Sequence, residues 1–312
     1  MAGKEAPIIC LMGPTAAGKT PLAVRLVQAL PCEIISVDSA MVYRGMDIGT
    51  AKPDAETLKI APHHLIDIVD PKEAYSAGQF RVDAMRAIDD IQARGRIPLL
   101  VGGTMLYFRA LQQGLAGLPT ADKDLRMTLQ KRAELEGWQV LHAELAAIDP
   151  QSAKRIHVSD TQRIQRALEV YLLSGKPISQ WQAEDKNPLT HKIINIGLMP
   201  FDRARLHERI AQRFALMLQL GLVDEVKKLY ERGDLSADLP AMRSVGYRQV
   251  WDYLAGNSTF AEMKEKAIAA TRQLAKRQIT WLRSWPEMTL IDSEVPDVYE
   301  QAVKLTSIHR AF

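Results

Sequence analysis

At 312 residues the chain is long enough for one large domain or for a core with an insertion, and 47% hydrophobic with 25% charged residues excludes a disordered or fibrous chain. No apolar run approaches the ~20 residues needed to cross a bilayer, so no membrane partner is expected. A net charge of +3 permits nucleic acid without requiring it, and two cysteines, Cys10 and Cys32, exclude a Cys2His2 finger and fit buried thiols in a reducing cytoplasm.

The first apolar stretch, Pro7 to Met12, predicts a short buried strand and runs straight into a glycine-rich loop, which is not the architecture of a signal peptide. Helical spacing follows over Leu22–Leu30, with Pro21 in the first turn, where a missing N–H costs little. EIISVDS predicts a second buried strand ending at Asp38, and PHHLIDIVD (62–70) a third apolar run. Gln79–Arg94 predicts a helix stopped by Gly95. RIPLLVGGT predicts a further strand ending at Gly102-Gly103-Thr104. From about 122 to 185 the texture turns helical and charge-rich. IINIGLM (193–199) then reads as a strand returning to the sheet, and MTLIDS (288–293) as the last strand. Alternation of continuous apolar strands with helices predicts an α/β fold of the P-loop NTPase-like kind. Its parallel sheet carries helices on both faces, with a core at 1–121 and 193–312 and an all-helical insertion at 122–192.

Gly13-Pro14-Thr15-Ala16-Ala17-Gly18-Lys19-Thr20 matches G-x-x-x-x-G-K-[ST], between a buried strand and a helix as the motif requires. At average composition the pattern arises by chance in about 1% of chains of this length. Glycines allow close wrapping of a phosphate, and the helix N-terminus and loop N–H groups attract the anion. Lys19 adds a charge, and the Thr20 hydroxyl can ligate Mg²⁺. Nucleotide-hydrolysing relatives of such loops need an acid on Mg²⁺ at a strand end, but Pro98–Val101 ends in Gly-Gly-Thr. The acid at a strand tip is Asp38, placed to hold metal, to act as a base, or to cap a turn before Ser39. Thr104 at the other tip can reach a ligand or cap the helix of MLYFRAL.

Residues 266–286 carry Lys266, Arg272, Lys276, Arg277 and Arg283 with no acid between Lys266 and Arg283. On a helix Arg272, Lys276 and Arg283 point within about 40° of one another, beside an apolar stripe of Ile268, Ala275, Ile279 and Leu282. Such a strip can track a phosphate backbone or be a solvated face. Arg163 and Arg166 within Gln162–Arg166, and Arg243 and Arg248 around Gly246 and Tyr247, add phosphate-binding and base-stacking chemistry. His63-His64 is expected to be a satisfied structural pair, with ring polarity near a substrate as the alternative.

The segments GPTAAGKT, ISVDSAMVYRGMDIGTAKP, PHHLID, IPLLVGGTMLYFRAL, QRIQRALEVY, RSVGYRQVW and ATRQLAKRQITWLR together resemble the bacterial tRNA dimethylallyltransferases, over nearly the whole chain. The resemblance implies transfer of a dimethylallyl group from dimethylallyl diphosphate to the N6 amine of the adenosine just 3′ of the anticodon, with Mg²⁺ used and diphosphate released. It implies that Gly13–Thr20 holds the diphosphate and that Asp38 is the general base, within an Asp38-Ser39-Ala40-Met41 segment that meets the tRNA. Thr104 would contact the target nucleotide. The implied tRNA contacts are Arg126; Gln162, Arg163, Ile164, Gln165 and Arg166; Arg243, Ser244, Val245, Gly246, Tyr247 and Arg248; and Lys276, Arg277, Gln278, Ile279, Thr280, Trp281, Leu282 and Arg283. The insertion would embrace the anticodon stem-loop, with Arg163 or Arg166 closing on the diphosphate, and the chain would act as a monomer. Two departures stand out: Ala17 where many members have Ser, and no C-terminal zinc finger of the eukaryotic relatives. The alternatives are a small-molecule kinase of the shikimate-kinase type, usually much shorter, and an RNA-binding protein with a vestigial loop, against which an intact Lys19-Thr20 and Asp38 argue.

Overall fold

A computed structural model describes residues 6–184 and 187–307. The chain divides into two compact units, Met1–Ala110 with Thr190–Phe312, and Leu111–Leu189.

The first unit is built on six strands: β1 (Ile8–Met12), β2 (Cys32–Val37), β3 (His63–His64), β4 (Ile97–Gly102), β5 (Ile193–Met199) and β6 (Met288–Asp292). They form one parallel sheet in the order β3-β2-β4-β1-β5-β6. Helices α1 (Lys19–Ala29), α2 (Ala55–Ile60) and α3 (Ala77–Ala93) lie between the first four strands, and α4 (Met105–Gln113) follows β4. The central strands are apolar at successive positions because helices cover both faces: β1 and β4 are buried at every residue. One core joins Ile9, Leu11, Ile34, Leu99 and Ile196 to Leu22 and Leu26 of α1.

The register places the carboxyl ends of the strands side by side. Gly102 of β4 is the partner of both Met12 on β1 and Val37 on β2. The residues that follow, Gly13, Asp38 and Gly103, therefore leave the sheet at one corner, the edge where ligands bind in open parallel sheets.

Two local features here go beyond what the sequence specifies. The run 62–70 is not a strand throughout: only His63–His64 pairs with β2, plus an isolated bridge from Tyr43 to Val69. Leu65 and Asp67 adopt left-handed φ values of 64° and 55°, which an extended ladder cannot accommodate. Helix α2, with its N-terminus capped by Asp54 Oδ1 accepting from the Thr57 amide, carries too few periodic positions to be read from the sequence.

The second unit is all-helical: α5 (Lys123–Glu136), α6 (Trp138–Ile148), α7 (Pro150–Arg155), α8 (Thr161–Ser174) and α9 (Ile178–Ala183). It has its own core of Leu129, Leu141, Leu145, Ile164, Leu168 and Ile178. It begins at Leu111 rather than at 122, because the lead-in is tied to it: Leu118 packs on that core and Arg166 donates to the Pro119 carbonyl at 2.7 Å. It ends at Leu189, whose amide donates to the Gln112 carbonyl at 3.1 Å, rather than at 192.

The chain then returns to the first unit through β5, α10 (Arg203–Gln219), α11 (Leu222–Tyr230), α12 (Tyr247–Leu254), α13 (Phe260–Arg283), β6 and α14 (Val298–Ser307). Among the described residues no helix is long and apolar enough to cross a membrane.

Candidate functional site

The loop between β1 and α1 curls through two left-handed residues, Ala16 at φ 63° and Gly18 at φ 85°. Glycine takes this conformation freely, whereas Ala16 is held there by the loop. The Lys19 ammonium folds back to donate to the carbonyls of Gly13 (2.9 Å) and Pro14 (2.8 Å). Burial, and then the charge of Arg213 on α10, lowers its pKa to about 7, with Asp38 pulling the other way. Arg213 is itself lowered by burial and supported by Asp38. Two cations and one carboxylate thus share a poorly solvated space, which favours a multivalent anion.

Asp38 stands one residue beyond β2. Its Oδ1 accepts from the amides of Ala40 (2.8 Å) and Met41 (3.2 Å), so it caps a turn as one of its sequence alternatives had it. Those two bonds use one carboxylate oxygen, and the side chain also lines the cavity. Thr104 does not cap α4 with its hydroxyl. Its Oγ1 accepts from the Ser39 amide at 3.0 Å, and its backbone carbonyl accepts from the Tyr107 amide.

These residues face a cavity of about 970 Å³, lined entirely by the first unit. Thr15–Thr20, Asp38–Met41 and Thr104 line it together with Arg213 and Arg243–Tyr247. Lys19, Arg213 and Asp38, which influence one another's charge, are among its polar lining residues. Leu106, Phe214, Leu216, Met217, Leu274 and Trp281 supply apolar surface for a short hydrocarbon. Leu106 and Leu216 are each 52% exposed, so part of this apolar surface is open to solvent. Arg213 lies outside every segment singled out in the sequence. The available signal was only Arg209 and Arg213 four apart on one helix, both on the cavity.

Among the described residues no group of three His, Cys, Asp or Glu side chains could hold a metal. The Thr20 hydroxyl does line the cavity beside Lys19, so the donor set suits Mg²⁺ that keeps waters and phosphate oxygens rather than a protein cage. His63 also lines the cavity. Its Nδ1 lies 2.7 Å from the Ala61 carbonyl, which only a protonated nitrogen can approach so, and burial lowers its pKa. His64 Nε2 lies 2.9 Å from Glu33.

The remaining residues separate by exposure. On α13, Lys276, Arg277, Thr280 and Arg283 are exposed and Trp281 half-buried. None of these three cations has an acidic partner among the described residues. Gln278, Ile279 and Leu282 on the same segment are buried at 8%, 6% and 1% exposure, so they turn inward from the exposed cationic face, Gln278 onto the cavity. The reason is the helical period, which sends part of any contiguous segment inward. Arg243 and Arg248 are exposed, but Tyr247 is fully buried and its hydroxyl donates to Glu225 at 2.5 Å, so its ring cannot stack on a base. In the helical unit Gln162 and Arg163 are exposed, with Arg163 3.1 Å from Asp160. Ile164 is buried, Gln165 donates to the Arg126 carbonyl, and Arg126 and Arg166 both donate to the fully buried Glu169.

Comparison with known proteins bears on the family of the chain. The family model described as IPP transferase matches residues 41–285. A tRNA dimethylallyltransferase of Thioalkalivibrio sulfidiphilus is 60% identical over 292 residues, 93% of this chain and 91% of that one. A full-length tRNA isopentenylpyrophosphate transferase of Bacillus halodurans superposes with a TM-score of 0.71 at 39% identity, covering 98% of each chain. A eukaryotic dimethylallyltransferase solved acting on tRNA superposes at 0.80 with 27% identity, over 97% of this chain and 78% of that one. With a matching family model over most of its length and a relative this close over nearly all of it, the chain belongs to the IPP transferase family.

Proposed function

We propose that the chain is a tRNA dimethylallyltransferase: it moves a dimethylallyl group from dimethylallyl diphosphate to the N6 amine of the adenosine immediately 3′ of the anticodon, and diphosphate leaves. The observation that carries this reading is the single cavity that joins a phosphate loop, a strand-tip carboxylate and an apolar wall. A kinase of the shikimate-kinase type would need no such wall, and the relatives of this chain are prenyl transferases.

The chemistry follows from what each part can do. Adenine's amine is a weak nucleophile because its lone pair is delocalised into the ring, so it must be aimed and relieved of a proton as it attacks carbon. Asp38 is held by two backbone amides through one oxygen, which fixes the other for that proton. The bond from the allylic carbon to the diphosphate oxygen breaks as the carbon–nitrogen bond forms, and negative charge gathers on the leaving group. Loop amides, Lys19 and Arg213 meet that charge. A Mg²⁺ ion held through the Thr20 hydroxyl would neutralise part of it. The apolar wall shields the allylic carbon from water, which would otherwise compete with the amine. The base must leave its stack to reach the cavity. The exposed Lys276, Arg277 and Arg283, with Arg243 and Arg248, suit the tRNA backbone. The helical unit, through Arg163 and Gln162, suits the anticodon stem-loop. The chain works as a monomer in the cytoplasm, whose reducing conditions suit the buried thiols of Cys10 and Cys32.

The test is direct. Purified protein, Mg²⁺, labelled dimethylallyl diphosphate and unmodified tRNA should give label in the base 3′ of the anticodon, located by nuclease digestion and mass analysis. Label released only as dimethylallyl alcohol, or transfer that requires ATP, would overturn the assignment.

A further inference from the structure

Gln278 lies on the helix segment whose exposed side chains suit tRNA, yet its own side chain points the opposite way. It is 8% exposed, and both ends of its amide are used in the floor of the active cavity. Oε1 accepts from the Thr15 amide of the phosphate loop at 2.9 Å, and Nε2 donates to the Gly103 carbonyl at 2.8 Å. These two partners come from different strand ends, 263 and 175 residues away in sequence. The same corner is tied a second time by the Gly13 amide donating to the Gly102 carbonyl at 3.2 Å.

The fit leaves no spare room. A Cβ built on Gly103 would fall 2.4 Å from Gln278 Nε2 and 3.1 Å from the Gly13 carbonyl. Gly103 therefore gives the amide its space. No apolar residue could supply both bonds, and a carboxylate could accept from Thr15 but not donate to Gly103. Among the described residues Thr15 N–H has no other acceptor, so the glutamine fixes the first turn of the loop where it must open towards an anion.

We propose that Gln278 is a positioning residue for the diphosphate loop: it sets the spacing between Thr15 and the Gly103–Thr104 corner and so preorganises the loop amides for the leaving diphosphate, without touching RNA. Since Thr104 in turn holds the Ser39 amide, the strut also fixes the loop relative to Asp38. The inference rests on the reading of Gly13–Thr20 as the diphosphate site.

The test uses the full-length protein with inorganic diphosphate and Mg²⁺ as the binding probe, read by calorimetry, and with unmodified tRNA read by filter binding over a salt series. Gln278→Met, nearly isosteric and bond-free, should weaken diphosphate binding by about tenfold, the worth of roughly one hydrogen bond. Gln278→Glu should weaken it further, because it brings negative charge to an anion site. Gly103→Ala, which displaces the amide from the other side, should give the same defect. Combined with Gln278→Met it should cost little more than either alone. In steady state the KM for dimethylallyl diphosphate should rise in all three while tRNA affinity and its salt slope stay within twofold. Unchanged diphosphate affinity in Gln278→Met and Gly103→Ala would overturn the proposal, as would a tRNA affinity that falls together with its salt slope. Failure of the wild-type protein to bind diphosphate would instead remove the loop assignment on which the proposal rests.

Discussion

The Ser39 amide donates to Thr104 Oγ1 at 3.0 Å, fastening the tip of β4 to the turn that Asp38 caps. Two strand ends are thereby locked together, and the turn that carries Asp38 is held by a threonine just past the neighbouring strand.

Asp38→Asn is the informative change at this turn. An amide oxygen can still accept from Ala40 and Met41, so the turn survives, while the proton acceptor is lost. Turnover should fall by about 10²–10⁴-fold with tRNA affinity unaltered. Single-turnover rates at saturating tRNA check this, and near-normal rates would remove Asp38 from proton transfer.

Lys19 makes diphosphate binding pH-dependent. With its pKa lowered to about 7, the empty loop carries a largely charged lysine below pH 7 and a largely neutral one above it. An anion binds the charged form, so above pH 7 binding must take up a proton and the affinity should fall by up to about tenfold per pH unit. Below pH 7 this contribution is flat. Calorimetry at pH 8 in buffers of different ionisation heat should show proton uptake that disappears in Lys19→Ala. Equal uptake in both proteins would place the titrating group elsewhere.

Glu169 anchors the helical unit. Burial raises its pKa, but the bonds from Arg126 and Arg166 outweigh burial and leave it lowered. A lowered carboxylate stabilises the fold above its unfolded pKa and loses that stability as pH falls through the folded value. The unit should therefore weaken only below the ordinary glutamate range. Glu169→Ala should cost about 1–3 kcal/mol at neutral pH, discounted because both arginines are partly exposed. Urea unfolding at pH 7 and pH 3 reads both statements: a variant as stable as wild type at pH 7 would contradict them.

Tyr247 and Glu225 form a second clamp. The Glu225 carboxylate accepts the amides of Asp47 (2.9 Å), Ile48 (2.7 Å) and Gly49 (3.1 Å) as well as the Tyr247 hydroxyl. Tyr247→Phe should destabilise the protein by about 1–3 kcal/mol and leave tRNA affinity unchanged. Unaltered stability with altered tRNA affinity would put the phenol at the RNA after all.

The cationic strip should register in the salt dependence. Lys276→Ala with Arg283→Ala removes two exposed charges and should lower the slope of log K against log salt by about 1.4–1.8. A slope equal to that of wild type would take the strip out of the interface.

The sequence by itself determined the strands other than the two-residue β3, the phosphate loop and the existence of a helical insertion. Each is written in neighbouring residues: a continuous apolar run such as Ile193–Met199, a spaced Gly-Lys-Thr, a change of period after β4. Asp38 was legible as a strand-tip acid for the same reason. What only the tertiary structure decided are relations between distant residues. The shared partnership of Met12 and Val37 with Gly102 brings three strand ends to one corner. Arg213 enters that corner from α10, where only its i, i+4 spacing from Arg209 marks it locally. The helical period then turns a contiguous basic segment two ways, with Lys276 and Arg283 outward and Gln278 into the loop, because a helix presents successive residues about 100° apart and the core takes whichever of them face it.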